Sequence, residues 1–254
     1  MNRGAWNKFV KARDRFRYAV EELGRSLPKL KSIQQKFAES RADGKNSSYT
    51  VETPVVYNSA LDDVTTGDEI KMILVADNPG RREQASENRR YLVGPSGKIA
   101  QKFFRDNPAL GIDFLKNVII LNKTPIHSPR TAELRELCRL EAETGGSSIA
   151  LALKESQRTM AALLLEFQLA LDVQAWIVGY SEMKKGGIFE VYTDALKSLY
   201  ADREMYKQIL FYRHFSMNQF TIDLKRQALR GETAAKSLMR IGTAYRERIL
   251  GKYV

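Results

Sequence analysis

The chain has 254 residues, 43% of them hydrophobic, enough to bury one large α/β core. Its 41 Lys and Arg against 30 Asp and Glu leave a formal charge of +11, which points to a polyanionic partner, either nucleic acid or an anionic membrane surface. A single cysteine, Cys138, excludes an internal disulfide and any multi-cysteine zinc or iron–sulfur site, and no apolar run approaches the ~20 residues needed to cross a bilayer.

Between Trp6 and Leu23, the apolar residues Trp6, Phe9, Val10, Phe16, Ala19, Val20 and Leu23 recur at helical spacing, with Lys8, Lys11, Arg13, Arg15 and Arg17 among them. This predicts a basic amphipathic helix that grips DNA, binds a partner or packs on the core, packing being the expectation. A second helix is expected over Lys29 to Ser40, ending in the polar loop Ala42 to Ser48. Strands then alternate with helices. The strands fall at Ile70 to Ala76, Val118 to Asn122, Ala175 to Gly179 and Gln208 to Tyr212. Helices are predicted near Lys98 to Arg105, Thr131 to Leu140, Ile149 to Leu171, Ile188 to Tyr200, Ser216 to Leu229 and Ala234 to Leu250. The pattern predicts a three-layer α/β/α fold with a central, mostly parallel four-stranded sheet. Residues 1–48 form a helical extension and residues 49–254 the α/β domain.

Ligands of such sheets bind beyond the carboxyl ends of the strands, so the residues there are the functional candidates. The first strand runs into Asp77-Asn78-Pro79-Gly80, which reads either as an ordinary tight turn or as one whose Asn orients a water. The second ends on Asn122, an amide able to read the edge of a base or to cap the next turn. The fourth runs into Arg213-His214-Phe215-Ser216, where His214, one of two histidines, is open to a structural or a catalytic role. Tyr91-Leu92-Val93-Gly94-Pro95-Ser96-Gly97-Lys98 ends where a helix starts, so its amides, with Lys98, suit a phosphate. It is not a P-loop, since Leu92 stands where the first glycine belongs and Ile99 follows Lys98. No Gly-x-Gly-x-x-Gly follows a strand either, which disfavours a nucleotide cofactor.

Taken in order, Ala76-Asp77-Asn78-Pro79-Gly80, Arg90 to Lys98, Leu121-Asn122, Trp176-Ile177-Val178-Gly179 and His214-Phe215-Ser216 resemble the motifs of the uracil-DNA glycosylase superfamily. The first is similar to the Gly-x-Asn-Pro-Gly turn of the mismatch-specific and single-strand-selective members, and the second to the Arg-Pro-Phe-Val-Gly segment of the thermostable bacterial and archaeal members. The chain departs from these patterns at Ala76 for Gly, Leu92 for the stacking Phe, and Phe215 for the Pro of His-Pro-Ser. The wedge position falls on Asn218, with Met217 as the apolar neighbour, and the four cluster-binding cysteines are absent.

The resemblance implies a monofunctional DNA N-glycosylase of base excision repair that flips out a damaged base, uracil foremost, and hydrolyses its N-glycosidic bond without metal or cofactor. Asn78, His214 and Asp77 become the catalytic candidates. Asn122, Tyr91, Leu92 and Gly80 become the base-binding residues, with Tyr91 as the available aromatic face. Lys98, Ser96, Ser216, Met217, Asn218, Arg81 and Arg213 become the DNA contacts. The basic pairs Arg81-Arg82, Arg89-Arg90, Lys184-Lys185 and Lys225-Arg226 read equally as phosphate contacts or as solvated surface. Two alternatives stand beside this: a non-catalytic nucleic-acid-binding protein of the same fold, and a glycosylase for hypoxanthine, xanthine or a mismatched thymine. A cytoplasmic monomer, free of membrane, is expected.

Overall fold

In the computed structural model, which describes residues 1–41, 49–143 and 145–252, four short apolar runs form one sheet. They are β1 (Met72–Ala76), β2 (Val118–Asn122), β3 (Gln174–Val178) and β4 (Ile209–Tyr212). The order is β2-β1-β3-β4 and every pairing is parallel. The sheet is thus wholly parallel, as the expected α/β fold requires of strands covered on both faces. Eight helices accompany it among the described residues: α1 (Arg3–Ser26), α2 (Leu30–Ser40), α3 (Pro95–Asp106), α4 (Glu133–Ala142), α5 (Ser148–Leu171), α6 (Glu190–Tyr200), α7 (Gln219–Gln227) and α8 (Ala234–Leu250). The expected loop at Ala42 to Ser48 lies outside the described residues.

Alternation along the strands divides the core in two. Ile73, Val75, Ile119, Leu121, Ala175, Ile177, Ile209 and Phe211 face α1, α5 and α6, meeting Phe9, Phe16, Phe167 and Leu196. Met72, Leu74, Ala76, Trp176, Val178, Leu210 and Tyr212 face α3, α7 and α8, meeting Phe103, Phe104, Phe220 and Ile241. The two clusters make the three-layer arrangement predicted from sequence. The apolar face of α1, Phe9, Ala12, Phe16 and Val20, is buried, and Phe9 packs edge-on against Phe167 of α5. The helix thus takes the packing role. Its start is fixed by Asn2, whose side chain accepts from the Ala5 amide at 2.8 Å.

Register brings the strand ends together: Ala76 pairs with Asn122, and Val178 with Tyr212. The residues after these positions, Asp77, Lys123, Gly179 and Arg213, therefore emerge along one edge of the sheet. Among the described residues no helix is long and apolar enough to cross a membrane.

Candidate functional site

A cleft of about 640 Å³ opens at that edge. The turn after β1 lines it with Asp77, Asn78, Gly80, Arg81, Arg82 and Glu83, and the segment entering α3 adds Leu92, Gly94, Pro95 and Ser96. The loop after β2 contributes Ser128, Arg130 and Thr131, and the β3 and β4 ends contribute Gly179, His214 and Ser216. Four strand ends and a helix start thus converge, as expected for a parallel sheet. Of the sequence candidates, Asp77, Asn78, Gly80, Arg81, Leu92, Ser96, His214 and Ser216 line the cleft; Asn122, Tyr91, Lys98, Arg213, Met217 and Asn218 do not.

The Asn78 amide is held on both sides. Its Nδ2 donates to the Ser128 carbonyl at 2.9 Å and to Ser128 Oγ at 3.0 Å, and its Oδ1 faces Thr131 Oγ1 at 3.1 Å. This fixes the amide orientation and leaves Oδ1 a second lone pair for a water. Thr131 Oγ1 also lies 3.1 Å from Asp77 Oδ2. The other Asp77 oxygen meets Lys123 Nζ at 2.5 Å, and the ammonium also donates to the Val178 carbonyl at 2.6 Å. Lys123 is fully buried, which holds its pKa below the ordinary lysine value even though Asp77 pulls it upward.

Gly179, at φ +82°, gives Asp77 its room: a Cβ there would stand 2.5 Å from Oδ1. Gly179→Ala is expected to destabilise the protein by about 1–3 kcal/mol, through backbone strain and the clash together, as read by urea denaturation. An unchanged midpoint would mean that Asp77 can sit elsewhere at no cost.

His214 accepts the Ser216 amide on Nδ1 at 3.0 Å. That nitrogen must be unprotonated to accept, so the neutral ring carries its hydrogen on Nε2. Burial lowers the His214 pKa from its usual value; Asp77 opposes this, and Lys123 reinforces it. Phe215, in place of the motif's proline, is fully buried and stacks on Phe220 with centroids 4.3 Å apart, anchoring the loop. The next turn projects: Met217 is 81% exposed, and Met217 and Asn218 both take left-handed conformations, φ 53° and 57°.

Asn122 is 1% exposed beside Ala76, and neither Oδ1 nor Nδ2 has a hydrogen-bond partner. Such orphaned amides are rare and costly in folded proteins. Tyr91 is not a face of the cleft: it is buried in the core beside Phe16, its hydroxyl donating to the Val56 carbonyl at 2.6 Å. Leu92 takes the wall position instead, at φ 55°, its carbonyl tucked so closely against α3 that a Cβ at Gly97 would overlap it. Lys98 is exposed on α3, and Arg213 pairs with Asp223 at 3.5 Å.

Two supporting residues carried no signal in the sequence. His127, fully buried, lies with Nδ1 2.9 Å from the Pro79 carbonyl and Nε2 2.8 Å from the Tyr49 hydroxyl, bracing the Asn78 turn from behind. Its burial pushes its pKa down to about 4. Glu83, also buried, accepts from the Gly80 amide at 2.8 Å and from the Leu92 backbone, tying the turn to the Leu92 segment. Desolvation pushes its carboxyl up to about 7.

No protein-family model matches the chain, and no curated protein matches it.

Proposed function

We propose that the chain is a DNA glycosylase of the uracil-DNA glycosylase type, which flips out a damaged base, uracil foremost, and hydrolyses its N-glycosidic bond. The observation that carries this reading is the Asn122 amide, buried without a partner at a strand end beside a cleft lined by Asn78 and His214. The unsatisfied amide supports a site for a base edge, because a base that entered the cleft and moved aside the wall over Asn122 would supply the missing donor and acceptor.

The remaining groups have roles in the same reaction. As the glycosidic bond lengthens, charge builds on the departing base. The Nε2–H of a neutral His214 then hydrogen-bonds a base oxygen more strongly than in the ground state. Asn78 offers Oδ1 to the water that attacks the sugar; an amide orients water but is a weak base, so the chemical step is slower than with a carboxylate there. Gly80 and Leu92 bound the base. Arg81, Ser96 and Ser216 line the cleft where phosphates pass, and Met217, projecting beyond it, fills the space that the flipped nucleotide leaves.

Incubation with single- and double-stranded oligonucleotides carrying uracil, hypoxanthine, xanthine or a mismatched thymine, followed by alkali, tests the reading. Strand breaks at uracil are expected; breaks only at another base would move the specificity, and breaks at none, with DNA still bound, would leave a non-catalytic binding protein.

A further inference from the structure

Lys123, fully buried, is the most buried cation near the site. Its backbone amide donates to the carbonyls of Ala76 and Asp77, both at 3.0 Å, and its ammonium reaches Asp77 Oδ1 and the Val178 carbonyl. The Nζ also stands 5.1 Å from the centroid of the Phe189 ring, a face that favours a cation. One side chain therefore joins the ends of β1, β2 and β3, and the Gly179 backbone leaves space for the carboxylate it holds. Nothing in the chemistry of base excision requires a lysine at this place.

We propose that Lys123 is a positioning residue: its ammonium pins the Asp77 carboxylate at the floor of the cleft, so that His214 faces a neutralised pair and not a bare negative charge. A bare carboxylate would favour the imidazolium, which has lost the neutral form needed to donate to a base oxygen without first adding charge to the site. Asp77 and His214 line the same cleft, and the Asp77 and Lys123 charges, from the ends of β1 and β2, act on His214 in opposite senses. The other charges around the cleft are Arg81, Arg82 and Glu83 from the turn after β1 and Arg130 from the loop after β2, while Arg213 beside it is turned to Asp223. The kinetic consequence, though not the pairing, rests on the excision reading.

The test is the titration of the His214 imidazole by NMR, simplified by there being only two histidines. Relative to the wild type, Lys123→Met is expected to raise the His214 midpoint by about one pH unit, the effect of an unpaired carboxylate at short range. Asp77→Asn is expected to lower it, and the double variant Asp77→Asn/Lys123→Met, which buries no charge, to return it close to the wild-type value. If Lys123→Met does not fold, the opposite displacement in Asp77→Asn and its reversal in the double variant carry the same information. Midpoints that stay in place in every folded variant would overturn the proposal. In excision assays the acid limb of kcat/KM moves with the midpoint. Midpoints that move while no base is released from any oligonucleotide would keep the role of Lys123 and remove the excision reading.

Discussion

Replacing Asn122 with Leu is expected to stabilise the protein by about 1–3 kcal/mol while lowering base excision by at least about 100-fold. The two effects share one cause. Asn122 sits buried beside Ala76, on the face that holds Leu92 and Ala100, with neither amide atom partnered. In the free protein it costs the desolvation of a donor and an acceptor, and a leucine of similar size removes that cost. On the proposed excision reading the same amide would make the bonds that identify the base, and leucine would make none. A change that served only the fold would not separate the two readouts. Denaturant midpoints measured beside single-turnover excision rates check this, and a variant that lost stability and activity together would place Asn122 among ordinary structural residues.

The second large effect is in the pH dependence of stability, where two buried groups oppose each other. His127, held neutral with a pKa of about 4, contributes stability that is complete above pH 6.5 and is lost as the pH falls toward 4. Glu83, with a pKa of about 7, contributes stability that is complete below pH 4.5 and is lost as the pH rises toward 7. Each window corresponds to about 3 kcal/mol at 1.36 kcal/mol per unit, so between pH 7 and pH 4.5 the two contributions nearly cancel. Glu83→Gln removes one side of the balance. The variant, compared with the wild type, is expected to be about 3 kcal/mol better off at pH 8 than at pH 4, and its own profile exposes the acid loss from His127. Urea denaturation at several pH values reads the difference; an offset between the two proteins that does not vary with pH would contradict the assignment of Glu83. Both groups brace the Asn78 turn, one through the Pro79 carbonyl and the other through the Gly80 amide, so the turn itself is the structure that senses these protonations.

The frame of the molecule could be read from the sequence because each strand is a mostly apolar run of five residues or fewer, and β1, β2 and β4 give way abruptly to a polar residue. Asp77, Asn122 and His214 follow from that rule, since the carboxyl ends of parallel strands share one edge. Side-chain direction within a segment is set by distant contacts. Tyr91 and Leu92 are adjacent, and the choice of which faces the cleft depends on the left-handed turn at Leu92 and on Val56, a chain segment 35 residues away whose carbonyl takes the Tyr91 hydroxyl. Lys123 reads as the start of a loop, yet it is the most deeply held cation at the site, because Asp77 and the Val178 carbonyl reach it only in three dimensions. The same holds for Ser128 and Thr131, whose bonds to Asn78 span 50 and 53 residues. His127 follows no apolar run that marks a strand end, so nothing local distinguishes it from a surface histidine.

Release of free base tests the cleft at the strand ends most directly. A single-stranded oligonucleotide with one labelled uracil, incubated with the wild type, Asn78→Ala and His214→Ala, is expected to lose its uracil to the wild type. Each variant should be slower by at least about 100-fold with the fold intact. Release by both variants at the wild-type rate would contradict the site, and no release by the wild type from this or any other damaged base would contradict the activity.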